Sequence, residues 1–345
     1  MRQLLYLSHG DVLGLDLPMA DMVDVVEAAF RARGQGRTVM PPKLSLHGPG
    51  DAFSQVMAAS IQTAPAERDA GTTPGVRRAT GDAGGLGTKW VCLFPSNLAL
   101  GLPTLHGLLV LSAPSTGVPL AVIDAAAVTA LRTGAGVGLA ARLLARGGAT
   151  VVGLLGCGVQ GASSLRALAA VLPDLRSTRL FDTRPEAAER LAASLSAELP
   201  GVEFLGCREA GQVPEGAQVV VTAITMTEGV EPPLGVGLLE PGAIVVALDY
   251  DAAWSPRAMA ECDRFVVDDT AQVLATKAAG GRLGGIPARI DADLSEIAAG
   301  LQAGRERDDE RIFCMNLGVA IEDVSVGMLV YRRALEAGVG TRLPL

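Results

Sequence analysis

Histidine, aromatic residues and charge are all scarce in this chain, and each shortage removes a class of protein. The three histidines, His9, His47 and His106, include no pair at a metal-binding spacing, so no metal is expected. Five cysteines (Cys92, Cys157, Cys207, Cys262, Cys314) stand far apart, odd in number and without a C-x-x-C pair. That excludes a disulfide framework or zinc site and implies reduced thiols, as in a cytoplasm. Basic residues never run beyond pairs such as Arg77-Arg78 and Arg332-Arg333, and the net charge is −8, so nucleic acid is not an expected partner. No uninterrupted apolar stretch reaches the roughly 18 residues of a membrane helix. The opening MRQLLYLSHGDV has too short an apolar run for a secretion signal. A soluble cytoplasmic protein without a membrane partner is expected.

What the chain does have is apolar bulk. Of 345 residues, 49% are hydrophobic and 19% charged, enough for the cores of two domains. Forty-two glycines and 20 prolines imply many tight turns.

Residues 3–7 read as a strand, and Met22, Val25, Val26, Ala29 and Phe30 mark one apolar face of a helix after Pro18. Residues 53–60, 88–94 and 105–112 read as strands. The polar, Gly/Pro/Thr-rich residues 63–85 read as a long loop, either an active-site cover or an insertion. From 124 to 144 the pattern is helical. Beyond it, strands near 149–155, 177–181, 202–206, 218–223, 242–248 and 264–268 alternate with helices, and a last helix over 317–336 returns to the N-terminal part. Near-continuous Val/Ile/Leu strands with helical crossovers indicate an α/β fold with a parallel sheet covered on both faces.

The most specific motif is Gly156-Cys-Gly158-Val159-Gln160-Gly161, placed after a strand and opening a helix. Glycines there permit a tight turn, close approach of backbone to a pyrophosphate and tight helix–strand packing, while the helix N-terminus favours phosphate. Asp182 ends the next strand 21 residues after Gly161, where a carboxylate accepts bonds from ribose hydroxyls. It favours NAD over NADP, although Arg184, with Thr183 between, could turn to a phosphate instead. Thr222 and Thr225 either meet the nicotinamide half of the cofactor or cap their own turn.

Ahead of this loop, a few polar groups stand in apolar settings: Lys43 in PPKLSL, Lys89 in GTKWV and Arg132 in ALRTGAG. Such cations suit an anionic substrate such as a carboxylate. Lys89 either snorkels to water from its strand or is buried for its chemistry. Asp249 closes the VVALD strand at its carboxyl end, where open α/β sheets bind ligands, and could pair with Lys89 or act as a general base.

The run GTKWVCLFPSNLALGLPTLHGLLVLSAPSTGVPLAVIDAAAVTALRTGAG, with GLLGCGVQG, the Leu248-Asp249 pair and NLGVAIEDV, resembles the ornithine cyclodeaminase/μ-crystallin family. The resemblance covers essentially the whole chain. It implies a Rossmann NAD(P)-binding domain (125–313) inserted in an α+β substrate-binding and dimerisation domain (1–124 plus 314–345), a homodimer, and hydride exchange at the α-carbon of an amino acid or imine. It also implies that Lys43 and Arg132 hold the substrate carboxylate. Lys89 would act on the imine or a water, with Asp249 opposite. Thr104, Arg132, Thr133, Gln160, Asp182 and Asn316 would touch the cofactor.

Two departures bear on the substrate. Gln55 stands where cyclodeaminases carry a glutamate two residues before Met57, and DYDAAWSP replaces their D-C-P-G-K. Loss of that carboxylate and lysine removes groups suited to a diamino acid's second amine. An amino-acid dehydrogenase or ketimine reductase is therefore expected ahead of an ornithine or lysine cyclodeaminase or a non-catalytic NADPH-binding protein. Specificity is expected from Gln55, the 63–85 loop, Trp254 and the turn at 280–285.

Overall fold

The computed structural model describes residues 2–48, 52–62, 84–226, 229–280 and 283–345. Most of the 63–85 loop and part of the 280–285 turn lie outside the described residues. The chain divides into two compact units, Met1–Arg132 with Val319–Leu345, and Thr133–Gly318.

The first unit opens with β1 (Gln3–Leu7), α1 (His9–Leu13) and α2 (Met19–Gly34), followed by β2 (Thr38–Val39), β3 (Leu44–His47), β4 (Phe53–Ile61), β5 (Gly85–Leu93), β6 (Leu105–Ser112) and β7 (Pro119–Asp124). Then α3 (Ala125–Leu144) carries the chain into the second unit. That unit holds β8 (Val151–Leu155), α4 (Val159–Val171), β9 (Ser177–Phe181), α5 (Pro185–Glu198), β10 (Glu203–Gly206), β11 (Val219–Thr222) and β12 (Ile244–Ala247). It continues through α6 (Pro256–Ala260), β13 (Arg264–Val267), α7 (Thr270–Ala279), β14 (Ala292–Asp293), α8 (Leu294–Ala298) and β15 (Ile312–Met315). Finally α9 (Ala320–Ala337) and β16 (Thr341–Pro344) rejoin the first unit.

The first unit is a mixed sheet in the order β16-β1-β7-β6-β5-β4-β2, with β3 also on β4. Strands β4 to β7 form an antiparallel meander, so alternate residues share a face. Met57, Lys89 and Leu109 lie side by side in register on one face, which α2 and α9 cover. Gly85 lets α9 lie close on β5, because a side chain there would meet Val324 Cγ1 at 2.5 Å. The opposite face carries a row in register from Leu44 through Val56 and Trp90 to Leu108, of which Leu44, Trp90 and Leu108 are 60%, 41% and 45% exposed.

The second unit is a parallel sheet in the order β10-β9-β8-β11-β12-β15-β13-β14. Every residue of β11, β12 and β15 is buried, which accounts for the absence of polar alternation in VVVT, IVVA and IFCM. Its core collects three of the chain's few aromatics: Phe265 stacks on Phe313, and Trp254 meets Phe313 edge-on. Trp254 is fully buried there, so the expectation that it shapes substrate specificity is replaced by a packing role. No helix among the described residues is long and apolar enough to cross a membrane.

Candidate functional site

In the first unit the sheet brings Lys89 from β5 against the N-terminal part of α3 and the first turn of α9. Lys89 is 1% exposed, so it does not snorkel. Its Nζ donates to Asp323 Oδ1 at 2.7 Å and to Thr129 Oγ1 at 3.2 Å. One turn beyond Thr129, Arg132 donates from Nη1 to Glu322 Oε2 at 2.7 Å and sets Nε 3.3 Å from Asp323 Oδ1. Thr129 and Arg132 share a helix face through their three-residue spacing. Burial and the positive charges of Arg132 and Lys43 lower the Lys89 pKa to about 8, against the opposing pull of Asp323. Burial pushes the Glu322 carboxyl upward, Arg132 opposing it.

Within the first unit, the carboxylate that holds Lys89 is Asp323. Lys43, one residue before β3, is half-buried and near enough for its charge to act on Lys89. Gln55 lies on the Lys89 face of β4 and donates from Nε2 to Ser45 Oγ at 3.2 Å. Thr104 is half-buried and its carbonyl accepts from Phe94 N–H.

In the second unit the remaining candidates gather at the carboxyl ends of β8, β9, β11, β12 and β15, the ligand-binding edge of a doubly wound sheet. Gly156 has φ +98°, and a Cβ there would lie 2.5 Å from the Ala223 carbonyl oxygen. A side chain at Gly161 would collide with the Gly156 carbonyl. Gly158, the N-cap of α4, faces open space and has no side-chain cap, which leaves the first N–H groups at Val159 and Gln160 available. The buried Oε1 of Gln160 has no partner among the described residues.

Asp182 at the end of β9 accepts from Cys157 N–H at 2.9 Å and Arg184 N–H at 3.0 Å, which ties the two loops together. Thr183 and Arg184 are exposed. Cys157, Gly158, Val159, Arg184 and Arg190 line an open cavity of about 330 Å³. A dinucleotide fits this set: an open glycine edge for phosphates, a free helix N-terminus and a carboxylate at the ribose position. The small residues after Arg132 serve packing within the unit, since a side chain at Gly134 would strike Ser163 of α4. Thr133 beside it is half-buried.

Asp249 is 1% exposed and accepts from Thr222 Oγ1 at 2.8 Å and Ile224 N–H at 3.0 Å. Burial raises its pKa to about 6. The next residue, Tyr250, has φ +59°, a left-handed conformation uncommon for a bulky residue and often retained at functional sites. The Thr222 hydroxyl is committed to Asp249, whereas Thr225, three residues on, is exposed. Asn316, at the end of β15, is buried, with Oδ1 accepting from Cys314 Sγ.

A parallel α/β sheet with a glycine-edged helix N-terminus is a dinucleotide-binding fold of Rossmann type. The chain belongs to the ornithine cyclodeaminase/mu-crystallin family, whose model matches residues 7–338. It is 31% identical to alanine dehydrogenase of Archaeoglobus fulgidus, over 98% of both chains. Among solved structures it is similar to Thermococcus litoralis Delta(1)-pyrroline-2-carboxylate reductase in complex with NADH and L-proline (TM-score 0.82, 27% identity, 99% of this chain and 100% of that one). An archaeal alanine dehydrogenase dimer with bound NAD matches with TM-score 0.82 and 30% identity, over the whole of both chains.

Proposed function

We propose that this protein is an NAD(P)-dependent oxidoreductase acting at the α-carbon of an amino acid or imine, as an amino-acid dehydrogenase or ketimine reductase. The observation that carries the proposal is Lys89, a fully buried ammonium whose pKa falls to about 8 beside a guanidinium. Such a group exchanges a proton with a substrate nitrogen near neutral pH. Arg132, with Lys43, supplies positive charge for the substrate carboxylate. Asp249, with its pKa raised to about 6, takes the complementary role of proton acceptor or cation stabiliser. The carboxamide of Gln55 faces the substrate from β4.

NAD is the cofactor this reading assigns, with NADP as the alternative, held by the Gly156–Gly161 loop, Asp182 and its neighbours. When bound, it supplies or accepts hydride at the α-carbon. The reductase and dehydrogenase named above, the first solved with NADH and proline, support the same chemistry here. The first unit with α9 serves substrate binding and dimerisation, the second cofactor binding, in a cytoplasmic homodimer. The exposed row Leu44–Trp90–Leu108 offers a dimer an apolar face. The test is oxidation of NADH or NADPH with a panel of 2-oxo acids plus amines. Turnover with one of them is expected, and none across the panel would remove the proposal.

A further inference from the structure

Glu322 and Asp323 stand in the first turn of α9. Both are buried, at 1% and 0% exposure. Their neighbours Ile321 and Val324 are apolar and equally buried, so the position does not call for acids on packing grounds. Stability does not call for them either. A buried ion pair is often replaceable by apolar residues without loss, while a carboxylate left unpaired in the interior is costly. The N-terminal turn of a helix favours negative charge only modestly. Yet Asp323 keeps Oδ2 buried with no partner among the described residues, while Oδ1 serves Lys89 and Arg132 together. Each acid meets a different cation most closely: Asp323 takes Lys89 at 2.7 Å and Glu322 takes Arg132 at 2.7 Å. Glu322 also accepts the Val319 N–H, so its carboxylate is fixed to the start of its own helix.

We propose that the first turn of α9 positions the two working cations separately, Asp323 being the positioning residue for Lys89 and Glu322 the positioning residue for Arg132. The inference rests on the reading above, in which Lys89 acts at the reacting centre and Arg132 on the substrate carboxylate. A lysine head on four rotatable bonds holds a productive geometry only when tethered. Asp323 supplies the tether, with Thr129 as the second point. The groups that bear on Lys89 are Asp323 on α9, Thr129 and Arg132 on α3, and Lys43 ahead of β3. Glu322 pairs with Arg132. Of these, Asp323 alone supports the charged ammonium electrostatically at close range, so neutralising it leaves Lys89 facing two cations and easier to deprotonate.

The two acids therefore have separable effects. Asp323→Asn should lower kcat by about 10- to 100-fold, in the range of general acid–base contributions, and move the alkaline limb of the pH profile downward. Glu322→Gln should raise KM for the carboxylate substrate at least about tenfold, the size of one charge-assisted contact, with little change in kcat. NADH binding and thermal midpoint, measured alongside, show that both variants are folded.

The chain has only three lysines, Lys43, Lys89 and Lys277, so lysine side-chain NMR, assigned with Lys89→Arg, reads Lys89 without any substrate. Its midpoint should fall in Asp323→Asn. If no panel substrate is turned over, the functional reading fails, and this titration still decides whether Asp323 sets the state of Lys89. An unchanged Lys89 midpoint in Asp323→Asn, or kcat and KM altered alike in both variants, would overturn the proposal. Should Asp323→Asn not fold, Glu322→Gln decides: a change confined to KM supports the division, and a fall in kcat with KM unchanged contradicts it.

Discussion

Lys89 and Asp323 stand 234 residues apart in the chain, and their side chains meet at 2.7 Å in the interior of the first unit. Burial and the neighbouring cations bring the Lys89 pKa down to about 8, so its ammonium exists below that pH and is lost above it. If the reaction uses the ammonium, kcat/KM falls on the alkaline side with a midpoint near 8. A pH–rate profile flat to pH 10 would contradict this assignment.

Asp249 gives the opposite limb and a stability signature. Its pKa is raised to about 6 by burial, so the fold opposes its ionised form. For a raised carboxyl, the stabilising contribution is complete below the unfolded value near 4 and is lost as pH rises through about 6. Asp249→Asn can keep both bonds, donating to Thr222 and accepting from Ile224 N–H, and it carries no charge. It should abolish most activity, by at least about 100-fold, yet be more stable than the wild type at pH 8, by on the order of 2 kcal/mol. The gain should be about halved at pH 5 and vanish below about pH 4. Thermal unfolding at these pH values checks the sign.

The glycine loop separates folding from binding. Gly158→Ala meets nothing within 4 Å and should leave the thermal midpoint close to wild type while weakening NADH binding about tenfold or more, because the methyl intrudes where phosphates approach. Gly161→Ala collides with the Gly156 carbonyl and should destabilise the unit itself. Calorimetry with NADH titration distinguishes the two, and equal effects on stability would contradict the assignment.

Local pattern made much of this fold legible. The strand β5, the helix α2 and the glycine loop announce themselves within a dozen residues, because burial of one face or a positive φ constrains nearby residue types. β7 and β15 carry no such local signal. β7 follows directly on the PSTGVP turn, and β15 is four residues between a charged run and Asn316, too short to show a period. The acids of α9 were hidden for another reason. Glu322 and Asp323 at a helix start look like ordinary complements to its dipole, and only the tertiary fold brings them to Arg132 and Lys89. Asp249 was legible from its place after a parallel strand, but its Thr222 partner is read only from the structure.

The row Leu44–Val56–Trp90–Leu108 gives a test of assembly. Trp90→Glu places a charge amid exposed apolar side chains and should shift a dimer toward monomer in analytical ultracentrifugation, with the single-chain fold intact by circular dichroism. A monomeric wild type, or a variant that stays dimeric, would remove this face from the account.

The most direct test of the central claim combines turnover and binding in one pair of proteins. Wild type and Lys89→Met are each titrated with NADH, and in a parallel series with NADPH, and then supplied with 2-oxo acids and amines while absorbance at the nicotinamide band is followed. Equal cofactor binding by both is expected, with oxidation by the wild type with at least one pair and a loss of about 100-fold or more in Lys89→Met. Unimpaired turnover by Lys89→Met, or none by the wild type with either cofactor, would contradict the claim.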